Sequence, residues 1–356
     1  MGKVKFDEIA KECRDTYRGS LINVPIVGLE HIEPHDMLLR NYDVNVETTF
    51  TKSFKNGQIL FGRRRAYQQK ACVATCDGIC SGDITVIEPK GKLIYPGLLP
   101  WVVQNDSFFD HAVRGSNGAL SPRVKWEHMA SFELNLPSID DQKSLADKLW
   151  AAYELKQSYI KMIAATDEMV KSRFIEMFGN RPKDTPIKKV CTVVSGKSIP
   201  TALEDIVGTI PYVKVGDFNM EANEKFITTS PRLVKAENAK LSKMIPIGSV
   251  IFAKNGAASM LNKKRLTKVE CCIDMNTMGI VPDKSLIIPE FLLSVMEAMN
   301  TSALVRQGAV PSISPKAIED TLIFLPTLRE QSAYIAIAEQ ADKSKSEERN
   351  EFFSRI

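Results

Sequence analysis

The chain repeats itself, and the repeat constrains its fold more than any local pattern. "LPSIDDQKSLADKL" (136–149) faces "LPTLREQSAYIAIA" (325–338): Leu-Pro recurs, and a glutamine recurs five residues after the proline, at an offset of 189. Upstream, Gly115 matches Gly308, and Ser121-Pro122 matches Ser314-Pro315, at an offset of 193. Further upstream, "NGQILFG" from Asn56 resembles "IGSVIFA" from Ile247, with Gly57 and Gly248 offset by 191. Three blocks in one order at nearly constant offset mark a tandem duplication with small insertions and deletions. Such a chain has to be read copy by copy.

Each copy has two parts. The first is mixed. Short apolar runs such as "ACVAT", "DITVIEP", "GSVIFA" and "MGIVPD" are rich in β-branched residues and bounded by turn residues, which predicts strands. "PEFLLSVMEAMN" (289–300) reads as a helix with proline in its opening turn. The second part is a long helix. Residues 138–178 contain no proline or glycine; Ser138 and the acidic residues after it suit a helix start, and Gly179 suits its end. About 40 residues at 1.5 Å each make a rod of roughly 60 Å. Its apolar seam includes Leu149, Tyr153, Ile160, Ile163, Val170 and Phe174. An amphipathic rod that long wants a partner helix, which the duplicate supplies with Ile335 and Ala338. The expected fold is α+β. Two tandem mixed α/β domains (1–137 and 181–325) are each followed by a long helix (138–180 and 326–356), and the helices pack as an antiparallel coiled coil about a pseudo-twofold axis.

Composition narrows the class of protein. The 356 residues are 44% hydrophobic and 25% charged, with a formal net charge of +4, so the placement of charge has to identify any polyanionic partner. Seven cysteines, an odd number without framework spacing, read as reduced thiols. The N-terminus lacks an apolar signal core, and no apolar run reaches membrane-spanning length. The expected location is the cytoplasm.

Catalytic patterns are missing. There is no Pro-Pro pair, hence no Asn/Asp-Pro-Pro-Tyr loop of an amino-methyltransferase. "SGKS" (195–198) has Cys191 where a P-loop needs its first glycine. Pro282-Asp283 lacks a nuclease-like Asp/Glu-x-Lys partner. The four histidines all lie in the first half. The chain reads as a non-enzyme without a metal site.

Charge clusters instead at one repeated place. After the first glycine block comes "RRRAYQQK": Arg63, Arg64, Arg65, Tyr67, Gln68, Gln69 and Lys70. After the second comes "KNGAASMLNKKR", with Lys254, Asn255, Lys263, Lys264 and Arg265. Two copies that keep frame and charge but vary the remaining side chains suit two readers of one polyanion. Lysine and arginine neutralise phosphates, while arginine, glutamine and asparagine read base edges.

These residues, with "FFDHAVRGSNGALSPRVKW", the "LP…DDQ…LADKL" junction and "FIEMFGNRP", resemble the specificity subunit of type I restriction-modification systems over nearly the whole chain. The resemblance implies a non-catalytic reader of a bipartite, asymmetric double-stranded DNA target, with the helices as a ruler for the unread spacer. It implies two adenine-methylating modification subunits, which hold S-adenosylmethionine, and restriction subunits, which use ATP and magnesium; this chain holds no cofactor of its own. By the 189 offset, Ile356 corresponds to Asp167, so the second helix is expected to be short by about three turns. A scaffold or anti-restriction decoy of the same fold is the competing expectation. It has no use for two different basic segments.

Overall fold

In the computed structural model, residues 3–116, 121–204, 208–306, 308 and 311–355 are described, with side chains through residue 347. Residues 117–120 and 309–310 of the repeated blocks fall outside them. The chain forms two compact units, Met1–Gln157 and Ser158–Ile356.

In the first unit, strands Ala10–Cys13, Ile84–Pro89, Ile59–Gly62 and Ala71–Val73 form an antiparallel sheet in that order. A second sheet pairs Ile26–Val27 parallel, and Lys52–Phe54 antiparallel, to the central Gly78–Cys80. Lys3–Lys5 pairs with Glu133–Asn135.

The second unit repeats this plan. Cys191–Ser195, Thr277–Pro282, Val250–Ala253 and Lys264–Thr267 form the matching sheet, extended by Phe226–Ile227. Cys271–Ile273 takes Ile210–Val213 parallel and Lys243–Ile245 antiparallel. Thr185–Pro186 pairs with Leu322–Ile323. Registers agree residue by residue. Ile59 faces Ile87 and Phe61 faces Thr85, as Val250 faces Ile280 and Phe252 faces Met278. Gly57 and Gly248 enter these strands at φ +85° and +89°, a backbone conformation that side chains disfavour.

The main sheet of each unit is covered on both faces, so its strands read as continuous apolar runs. Side chains still alternate between two cores. Ile59 and Phe61 join Phe6, Phe108 and Phe109, while Leu60 joins Val27, Phe54 and Cys80. Val250 and Phe252 join Phe174, Phe291 and Tyr334, while Ile251 joins Val213 and Ile273. All seven cysteines are free thiols, and six of them are buried.

The first long helix runs Ile139–Phe178 and the second Leu328–Arg355. Both begin with a capping arrangement. The Asp141 amide donates to Ser138 Oγ, and the Thr327 amide donates to Glu330 Oε2. Within the second unit the two helices run antiparallel: Tyr159 Oη donates to the Lys345 carbonyl, whereas Phe174, further along, meets Tyr334 at 5.2 Å between ring centroids. Phe174, Ile335, Val170 and Ala338 pack there as the sequence pattern predicts.

The rest of the expected seam is redistributed. Leu149 packs against the first unit's own core. Tyr153 donates to Asp36, accepts from Arg40 Nη2 at 2.7 Å and packs against Trp101 and Trp150. Ile163 is half-buried, and Ile160 is 48% exposed. An apolar stripe shows that a helix covers something. It does not show which apolar surface is covered. Here the opening turns of the first helix serve the domain that precedes them. Among the described residues no helix is long and apolar enough to cross a membrane.

Candidate nucleic-acid interface

The two basic segments leave equivalent strands and are held by equivalent main-chain bonds. In the first unit, the Arg63 amide donates to the Asp83 carbonyl and the Arg63 carbonyl accepts from Val124. The Arg65 amide donates to the Pro122 carbonyl. In the second unit, Lys254 donates to Asn276 and accepts from Ile313, and Gly256 donates to Pro311. Arg63-Arg64-Arg65 therefore occupies the place of Lys254-Asn255-Gly256. The third position is left-handed in both, at φ +55° for Arg65 and +70° for Gly256. A 3₁₀ turn follows each, Ala66–Gln68 and Ala257–Leu261, closed by left-handed Gln69 and Asn262.

These bonds correct one feature of the repeat. Pro122 corresponds to Pro311 and Arg123 to Ser312, an offset of 189. The Ser-Pro pairs that look alike in sequence stand four residues out of register.

At the first tip, Arg65 and Tyr67 are exposed, and Arg63, Arg64, Gln68 and Gln69 are half-buried. Arg63 Nε is shielded from water without a hydrogen-bond partner. Arg64 Nε donates to Ser121 Oγ, and its Nη1 lies 3.5 Å from Asp83. Arg123 grips Asp83 with two bonds, at 2.6 and 3.2 Å. Those bonds, with the charges of Arg123, Arg64 and Arg63 around it, hold the Asp83 carboxyl below its usual range. Lys70 turns away, donating to the Leu29 carbonyl.

At the second tip, Lys254 donates to Ser195 Oγ, and burial lowers its ammonium pKa. Asn255 Nδ2 donates to the Asn276 side chain at 3.2 Å and to the Met275 carbonyl at 3.3 Å. Lys263 is exposed and donates to Asn219. Lys264 and Arg265 lie elsewhere than the surface position their sequence suggests. Lys264 is 2% exposed and bonds Asn262 and the Met299 carbonyl, and burial pushes its pKa down to about 8. Arg265 donates to the carbonyls of Asn223, Lys264 and Phe218. Buried cations persist only when satisfied in this way.

Sequence reasoning missed Asp83, Ser121 and Arg123 in the first unit and Asn276 and Ser312 in the second. Their one trace is that Ser121 belongs to the first Ser-Pro block of the repeat, with Arg123 just after it, and Ser312 lies just before the second. The histidines brace this region. His111 and His128 stack at 4.3 Å, each Nε2 meeting the other's backbone carbonyl, and so tie together the helices on either side of the Ser121–Arg123 segment. Among the described residues no group of histidine, cysteine or carboxylate side chains gathers as a metal site.

Comparison with known proteins follows the same lines. Residues 183–351 match the sequence model of the type I restriction modification DNA specificity domain. The chain is 25% identical over 122 residues to the type I restriction enzyme EcoDI specificity subunit of Escherichia coli, a match spanning 33% of this chain and 27% of that protein. The type I restriction-modification S subunit of M. genitalium has a similar fold, with a TM-score of 0.63 and 11% identity over 99% of this chain and 92% of that one. So does a chain from a structural study of assembly and conformational transition of a type I restriction-modification system, with a TM-score of 0.57 and 16% identity over 99% of this chain and 94% of that one. Residues 183–351 thus match the family's DNA specificity domain, and the fold of the chain is similar to that of solved type I restriction-modification S subunits.

Proposed function

We propose that this chain is the sequence-reading, non-catalytic subunit of a type I restriction-modification complex. One observation carries the reading. Arg63-Arg64-Arg65 and Lys254-Asn255-Gly256 are held by the same main-chain bonds, yet present different side chains. Two equal frames with unequal chemistry read two different halves of one target. Cationic groups beside them anchor to phosphates, which gives affinity without sequence information.

The chain then delivers this target to its partners. Modification subunits methylate adenine with S-adenosylmethionine, and restriction subunits use ATP and magnesium. Such an assembly works in the cytoplasm, where the host's DNA is.

The test is selection by the full chain from a pool of duplexes of randomised sequence, followed by binding across a salt series. The expected result is a motif in two parts and affinity that falls steeply with salt. Binding with no enriched motif, or no binding at low salt, overturns the proposal.

A further inference from the structure

The two tips share more than a backbone. In each, the middle residue, 64 or 255, faces a side chain at the end of a neighbouring turn, 83 or 276, and bridges to a third residue, 123 or 312. Three positions thus recur with three different chemistries: Arg64, Asp83 and Arg123 against Asn255, Asn276 and Ser312.

Resting on the functional reading above, we propose that each trio is a base-reading site, that Arg123 is a second base-reading residue, and that Asp83 and Asn276 are the positioning residues that decide which base edge each site accepts.

In the first unit Asp83 takes both oxygens to Arg123 and draws in Arg64. A guanidinium fixed by a carboxylate keeps its remaining donors in a rigid fork and loses little freedom on binding. The site offers donors from two arginines. The base edge that matches is guanine, whose O6 and N7 both accept in the major groove.

The second unit reverses the polarity. Asp274, 6% exposed, accepts from Asn276 Nδ2 and from Thr277 Oγ1. Asn276 must therefore turn its Oδ1 outward, and that oxygen takes the bond from Asn255 Nδ2 at 3.2 Å. A second bond from the same nitrogen to the Met275 carbonyl uses the other proton. The relay leaves Asn255 Oδ1, which accepts no hydrogen bond from the described residues, as the group on offer. An acceptor in the major groove selects an amino donor there, adenine N6 or cytosine N4.

The randomised duplex pool tests this with the full chain and the variants Arg123→Ala, Asp83→Asn and Asn255→Ala, each first matched to wild type by thermal unfolding. Wild type should enrich a G·C pair in the first half of its motif; every base pair presents adenine N6 or cytosine N4 in the major groove, so the second half is decided by the Asn255→Ala variant. Arg123→Ala should cut discrimination at a guanine in the first half by about tenfold or more, leaving the second half intact. Asp83→Asn should relax that same half while non-specific binding at low salt does not fall, since a negative charge is removed beside the arginines, and Asp83→Glu should restore part of the discrimination. Asn255→Ala should flatten only the second half.

A first half-site without guanine overturns the inference, as does an Arg123→Ala variant that binds every sequence equally less well. A loss of folding in Asp83→Asn would make Asp83 a stability residue and overturn its positioning role, with Arg123→Ala still deciding the reader. If wild type enriches no motif, the functional reading falls, and this inference with it.

Discussion

Gln142 and Gln331 occupy the same place in the two units. Gln142 Oε1 accepts from the Tyr95 amide, and its Nε2 donates to the carbonyls of Leu93 and Pro137. Gln331 Oε1 accepts from Ile288, and its Nε2 donates to Leu286 and Pro326. Both are buried, at 1% and 0% exposure, so each amide closes a junction that neither water nor the helix can satisfy.

Gln142→Ala leaves three backbone groups without partners and should destabilise the first unit by about 3 kcal/mol. All three tryptophans, Trp101, Trp126 and Trp150, lie in that unit. The urea midpoint followed by tryptophan fluorescence should therefore fall for Gln142→Ala. For Gln331→Ala the loss should appear in circular dichroism, with the tryptophan signal moving far less.

The helix pairing yields an asymmetric pair of mutants. Phe174 is 6% exposed among Phe178, Phe291, Phe324 and Tyr334, and Phe174→Ala should cost about 3–5 kcal/mol. Ile160→Ala, at a 48% exposed site on the same helix, should stay within about 0.5 kcal/mol of wild type. Chemical denaturation of both measures the contrast, and equal losses would contradict the packing described.

Burial pushes the thiols of Cys72, Cys80, Cys191 and Cys271 up to about 12 from an ordinary 9.0. A maleimide at pH 8 should label half-buried Cys76 first and reach all seven thiols only on denaturation. The sign for stability follows. Below pH 9 both states keep their thiol protons and the groups contribute nothing pH-dependent. Between 9 and 12 the unfolded chain ionises first, so the folded state holds more protons and stability falls as pH rises. Replacing these cysteines by alanine should flatten that alkaline limb.

Arg65 adopts φ +55°, where its counterpart Gly256 adopts +70°. Arg65→Gly should leave stability unchanged or raise it by up to about 1 kcal/mol, because a side chain in the left-handed region carries strain. Affinity for DNA should fall through the lost cation. A thermal melt and a binding titration on the same preparation separate the two effects.

The duplication, the strand pattern and both long helices were legible because they depend on periodicity and on proline and glycine placement, which are local. The repeated glutamine was visible as a motif, but its three backbone partners were not. The proposed trio was hidden for a related reason: Arg123 and Asp83 lie 40 residues apart, and Arg64 bridges to Arg123 rather than to a sequence neighbour. Lys264 and Arg265 misled because a cation in a basic run suggests solvent. The carbonyls that hold them come from as far as 35 and 47 residues away.

The frame beneath each tip is built from N–H and C=O groups alone, at Arg63, Arg65, Val124 and their counterparts Lys254, Gly256 and Ile313. The side chains at positions 64, 83 and 123 make none of those bonds. On the proposed function, a lineage could change its target by substitutions at these positions while the bonds of the frame stay in place. Because the second copy keeps its own frame, the proposed halves of the target could then drift independently. The duplication would make recognition heritable in separable halves, each free to change while the other stays as it was.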